Sequence, residues 1–179
     1  MKIHIIAAVA ALGALLSACT TVTLPAYTVS GSQSIDGNVG SVTATYTPPG
    51  NSKSTQIRTT TVGSLMLTEP VSSYVSNAFR LELRSAGMKM DTGTCNIVLK
   101  VNDYAIDDLG FNATFISDID YEMTKDKPIF NKNIRVTFTT SKFVVPEVIF
   151  ASLRSALAQN FDKVMQDAAF RAALATNCR

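Results

Sequence analysis

The chain has no tryptophan and one histidine, and that histidine, His4, lies near its start. With His4 inside a segment read below as a removable leader, the mature protein has no imidazole. That excludes Ser-His-Asp hydrolysis, Cys-His catalysis and every histidine-ligated zinc or iron site. No glycine-rich phosphate loop, Gly-x-Ser-x-Gly elbow or Cys-x-x-Cys pair occurs in the sequence. Ser-Lys catalysis lacks its helical Ser-x-x-Lys spacing, because Ser52-Lys53 and Ser141-Lys142 are merely adjacent. Charge is scarce too: 17% of residues are charged, with 16 Lys+Arg against 14 Asp+Glu. So even a balance argues against an acidic disordered tail and against a nucleic-acid footprint. No cofactor, metal site or nucleic-acid partner is expected.

Hydrophobic residues make up 46% of the 179 positions, enough to bury a core. The first long apolar run is Ile5 to Leu16, behind the single positive charge of Lys2. It falls short of the roughly 20 residues that a membrane-spanning helix needs and suits the core of a signal peptide. The run ends in Leu16-Ser17-Ala18-Cys19, which closely resembles the bacterial lipobox. There a thiol must follow the cleavage point, because diacylglycerol is attached through a thioether. The resemblance implies residues 1–18 as a lipoprotein signal peptide and Cys19 as the acylated N-terminus. Thr20 stands where an aspartate commonly retains such proteins in the inner membrane, so the resemblance implies the periplasmic face of the outer membrane. Several acyl chains, each buried CH₂ contributing ~0.8 kcal/mol, anchor far more firmly than one chain does.

Behind Cys19, Ser, Thr, Gly and Pro dominate as far as Ser54. Residues 19–38 are read as a lipid-anchored tether and 39–179 as one periplasmic domain. A flexible stretch of some thirty residues would reach ~30 Å from the membrane. Cys95 and Cys178 remain as an even pair in an oxidising compartment, which favours one disulfide over two separate buried thiols.

Val39 to Tyr46 is β-branched and partly alternating, and Pro48-Pro49-Gly50 is expected to turn it toward a second strand at Gln56 to Met66. Thr68 as cap, Pro70 in the first turn and Gly87 as stop frame a helix over Glu69 to Ala86. Its apolar face carries one misfit, Glu82, expected to be a satisfied or rim-exposed carboxylate. Three alternating runs follow: Ile97, Leu99 and Val101; Phe111 to Met123; and Phe130, Ile134, Val136 and Phe138. They predict an antiparallel meander. From Pro146, apolar residues repeating at three and four predict a closing helix of about 28 residues unless it breaks near Asn160 or Asp167. The fold class predicted is α+β: a mainly antiparallel sheet with two helices packed on one face. The helix between Val62 and Val101 could belong to a parallel crossover.

Two features could carry function. Asp118, Asp120 and Glu122 project from one face of a strand, with Asp103, Asp107 and Asp108 nearby, and form an acidic stripe. A solvated face with cross-strand partners such as Lys100, Lys132 and Arg135 is favoured over a calcium or glycosidase-like site. Leu65, Met66 and Leu67 are three consecutive hydrophobes at an element boundary, a possible partner contact if not simply core.

The lipobox, the Ser/Thr-rich stretch, the helix from Val71 to Leu83 closing at Gly87, three strands and a long terminal helix together resemble the YajG-type lipoproteins. The same order is similar to the auxiliary lipoproteins of ABC-type transport systems. The resemblance implies an anchored periplasmic domain that contacts envelope proteins or lipid, and Cys19 is the only functional residue it transfers. The function expected is a non-catalytic, lipid-anchored binding or adaptor module. The alternative is a carboxylate-dependent hydrolase or carbohydrate-active envelope protein.

Overall fold

A computed structural model describes residues 24, 26–29, 34–60, 65–141 and 146–178; the leader and Cys19 lie outside them. In chain order the elements are β1 (Asn38–Tyr46), β2 (Gln56–Thr59), β3 (Leu65–Met66), α1 (Val71–Ser85), β4 (Lys89–Met90), β5 (Cys95–Asp107), β6 (Asn112–Thr124), β7 (Pro128–Ser141), α2 (Pro146–Met165) and α3 (Ala168–Asn177). None of the described helices is long and apolar enough to cross a membrane.

Period-two alternation builds β5, β6 and β7, which pair in antiparallel register along almost their full lengths. Ile97, Leu99, Ile119, Tyr121, Met123, Ile134 and Val136 point to the helix-covered side and are buried. Asn102 is an extra residue in β5, since Val101 pairs with Ile119 and Asp103 already with Asp118. That bulge resets the alternation, so Tyr104 and Ile106 stay on the core side.

A mainly antiparallel sheet with two helices does not hold. The sheet is mixed, with seven strands, and three helices accompany it among the described residues. The far edge of β5 is shared end to end: β1 runs parallel to residues 95–101, and β2 runs parallel to Ala105 and Ile106. β4 in turn adds to β1, also in parallel. Pro48 and Pro49 therefore do not reverse the chain. They interrupt an edge that cannot be continued through residues without an N–H, and the strand resumes in the same direction as β2. The long second strand expected at Gln56 to Met66 divides into β2 and β3, an antiparallel pair. The loop Asp91–Thr94 then returns the chain under β1, so closely that a Cβ on Gly93 would meet the Asn38 carbonyl oxygen at 2.1 Å.

The helix boundaries also have local causes. α1 has no side-chain cap; Thr68 is bypassed because the Val71 N–H donates to the Ser54 carbonyl at 2.9 Å. At its other end Gly87 takes φ +95, and Gly87 and Met88 return their N–H groups to Arg84 and Leu83. The closing helix does break, at Asp167. The Asp167 carboxylate accepts the Phe170 N–H at 2.9 Å, which caps α3, and pairs with Lys132 of β7. Those two contacts hold its carboxyl below the usual carboxylate range, the Lys132 contact more strongly.

All three helices lie on one face of the sheet. Phe79 of α1, Phe161 of α2, Phe170 of α3 and Tyr121 of β6 meet there, Phe79 lying 5.0 Å from Phe161 and 5.5 Å from Tyr121, centroid to centroid. Cys178, just past α3, is bonded to Cys95 at the start of β5, with Cα atoms 5.3 Å apart.

Candidate functional site: the cleft beside the N-terminal strap

The stretch expected as a free tether is partly built into the domain. Leu24 and Ile35 are buried and Tyr27 packs against the same core. The described parts of this strap meet α1 at both of its ends. Leu24 sits beside Leu67 and Tyr74, Tyr27 beside Glu82, and the Ile35 N–H donates to Ala86 at 2.8 Å. The next turn of chain enters β1, where the Asn38 N–H donates to the Cys178 carbonyl at 2.8 Å.

Glu82, the misfit of the apolar helix face, explains how the strap is held. It is fully buried, and the Tyr27 hydroxyl donates to its carboxylate at 2.6 Å. Burial, and then the bond to this carboxylate, push the Tyr27 phenol far above its ordinary pKa, so it stays a donor at any physiological pH. The Tyr27 ring meets Phe161 edge-on at 5.9 Å. A hydrogen bond of this kind contributes about 0.5–1.5 kcal/mol net. Tyr27→Phe should therefore loosen the strap while the sheet stays folded, read as earlier proteolytic cleavage between residues 24 and 37. Cleavage at the wild-type rate would remove Glu82 from this role.

Between strap and helix lies an open cleft of about 340 Å³. Leu24, Ala26 and Tyr27 form one wall, Tyr74, Asn77, Ala78 and Leu81 the other, and Leu67, Thr68 and Glu69 its end. The Tyr74 hydroxyl is buried without a hydrogen-bond partner. Its ring stacks on Tyr104 at 6.5 Å, and burial raises its pKa to about 12. Mostly apolar walls with Glu69 and Asn77 at the rim suit a short apolar segment or chain better than a polar substrate.

Of the residues singled out from sequence, Cys19 lies outside the described ones. Leu65 and Met66 form β3 and are half-buried, whereas Leu67 is buried, donates its N–H to Thr55 and reaches the cleft. Asp118, Asp120 and Glu122 lie on the sheet face opposite the helices, Glu122 in register with Asn131, while Asp118 and Asp120 are tied to the neighbouring strand. Asp118 pairs with Arg135 at 3.1 Å, Asn133 donates to both Asp118 and Asp120, and Lys100 lies opposite Asp120 in register. Asp103 pairs with Arg58 of β2, and Asp107 and Asp108 accept from Thr60. No group of three metal-ligating side chains occurs among the described residues.

Two features escaped the reading of the sequence. One is the strap, whose apolar residues Leu24, Tyr27 and Ile35 stand in a polar stretch with no regular period. The other is the β5–β6 turn, where Leu109 and Phe111 stand 64% and 80% exposed. Phe111 had looked like an inward strand residue, but β6 begins only at Asn112.

No protein-family model and no curated protein sequence matches the chain. Its fold is nevertheless similar to solved structures. A Xanthomonas campestris protein of the DUF330 family matches with TM-score 0.68 at 9% identity, over 86% of this chain and 96% of that one. A hypothetical protein of Chlamydia trachomatis matches with TM-score 0.51 at 6% identity, over 82% of this chain and 100% of that one. A minor lipoprotein of Acinetobacter baumannii, at TM-score 0.43 and 7% identity, covers 73% of this chain and 92% of its own. For the first two, at these identities, the likeness is one of fold.

Proposed function

We propose that the chain is a lipid-anchored, non-catalytic binding or adaptor module of the bacterial envelope, held through Cys19 at the periplasmic face of the outer membrane. The observation that carries this reading is the Leu16-Ser17-Ala18-Cys19 motif directly behind a short apolar run. The strap supports it. Leu24, five residues after Cys19, is already docked on the domain, so the link between them spans no more than about 18 Å. A domain so tethered works beside its membrane and not at ~30 Å from it. The engaged carboxylates of the outer sheet face favour a structural role for the acidic stripe, and the mostly apolar cleft favours binding over chemistry.

Cys19→Ser tests the anchor. Without the thiol to be modified, the unprocessed precursor should accumulate in the inner membrane, seen by fractionation and by its larger mass. Normal processing and outer-membrane fractionation of the variant would overturn the reading.

A further inference from the structure

We propose that the β5–β6 tip, through Leu109 and Phe111, enters the interfacial layer of the same membrane that holds the Cys19 anchor, so that the domain is fixed to the bilayer at two points. The proposal rests on the anchoring reading above.

Leu109 and Phe111 are the two most exposed large hydrophobics among the described residues. They flank Gly110, whose φ of +80 makes the turn sharp. The acids beside them are both engaged by Thr60. The Asp108 carboxylate accepts the Thr60 N–H at 3.0 Å and is almost fully buried, and that of Asp107 accepts from the Thr60 hydroxyl at 3.1 Å. The exposed side chains of this turn are thus its two large hydrophobics, a pairing that suits a membrane interface.

Position supplies the occupant. Leu24 and Tyr74 line one cleft, and Tyr74 stacks on Tyr104 of β5. β5 continues three residues beyond Tyr104, about 10 Å, and Leu109 stands in the turn that follows. From Tyr27 at Glu82 to Leu24 at Tyr74, the strap heads toward this same pole. The remaining link to Cys19 spans about 18 Å at most. α2 starts at this pole as well. The Tyr104 hydroxyl donates to Leu153, and half-exposed Val148 lies upstream of it, toward the tip. A lipid bilayer within reach of the anchor is thus within reach of Phe111.

The absence of tryptophan makes the test clean. Full-length lipidated protein carrying Phe111→Trp is reconstituted into phosphatidylethanolamine and phosphatidylglycerol vesicles with brominated acyl chains. Lys127→Trp, at the exposed β6–β7 turn of the opposite pole, is the control. At position 111 the emission should shift to the blue and be strongly quenched by the bromines, while at position 127 it stays unquenched. Quenching at 111 no greater than at 127 overturns the proposal with anchoring intact, as vesicle flotation would show. A blue shift without quenching also overturns it, since protein and not lipid would then cover the tip. If the mass of the mature chain lacks acyl groups and the protein does not float with vesicles, both readings fall.

Discussion

Replacing Cys95 and Cys178 together by alanine should lower the free energy of unfolding by about 4.5 kcal/mol, the chain-entropy value for an 83-residue loop. At an m-value of about 2 kcal/mol/M, the urea midpoint falls by roughly 2 M. The effect should be large because of where the bond sits. Cys95 opens β5 and pairs with Val39 of β1, and the residue bonded to it follows α3 and receives the Asn38 N–H. One covalent link therefore joins the last helix, the central strand and the strand by which the strap enters the sheet. Both residues are buried, so reductant should leave the native protein largely unaffected and act only on the unfolded chain. A midpoint shift below about 0.5 M in urea, with unchanged m, would show that the loop contributes little constraint.

Asn160→Leu should cost about as much, with no covalent bond involved. Asn160 is fully buried in α2. Its amide donates to the Ser117 carbonyl at 2.9 Å and the Ile134 carbonyl at 2.8 Å, and its oxygen accepts from the Tyr121 hydroxyl at 2.6 Å. One side chain thus joins the helix to two adjacent strands. Leucine fills similar volume but leaves three buried polar groups without this partner, at about 1–3 kcal/mol each, so the loss should be on the order of 4 kcal/mol. Tyr121 is fully buried, and burial holds its phenol protonated far above its usual range, so the hydroxyl cannot escape by ionising. Tyr121→Phe in the Asn160→Leu background should therefore restore about 1 kcal/mol by removing the stranded hydroxyl. The same change in the wild type should destabilise. Like signs in the two backgrounds would refute the network; urea unfolding of the four proteins measures it.

Much of the local structure was legible in the residues themselves. The alternation through Ile97–Val101, Phe115–Met123 and Phe130–Phe138 specifies strands and their buried face, since a one-residue slip would turn every apolar side chain outward. Gly87 marks the end of α1 because only glycine adopts its φ without cost. Asp167 was one of two possible breaks in the closing helix. What chose it over Asn160 was tertiary: Lys132 reaches the carboxylate that caps α3, whereas Asn160 is spent on the sheet inside an unbroken helix.

Strand direction was legible only at the helix crossover, where β2 does lie parallel to β5 across α1; the pairing of β1 with β5 and β4 was not. β1 and β2 would look the same in either orientation, because the side-chain period is two in parallel and antiparallel ladders alike. Only the path of α1 across the sheet made them parallel neighbours of β5. The strap was hidden for a related reason. Leu24, Tyr27 and Ile35 follow no helical or strand period, and become core residues only where α1 and α2 leave a groove and Glu82 offers a buried acceptor. By itself, then, the sequence determined the alternating strands and the glycine stop of α1, because each depends on near neighbours in the chain. The tertiary structure alone decided the mixed sheet, the docked strap and the exposed tip at Leu109 and Phe111, because each depends on which distant surfaces meet.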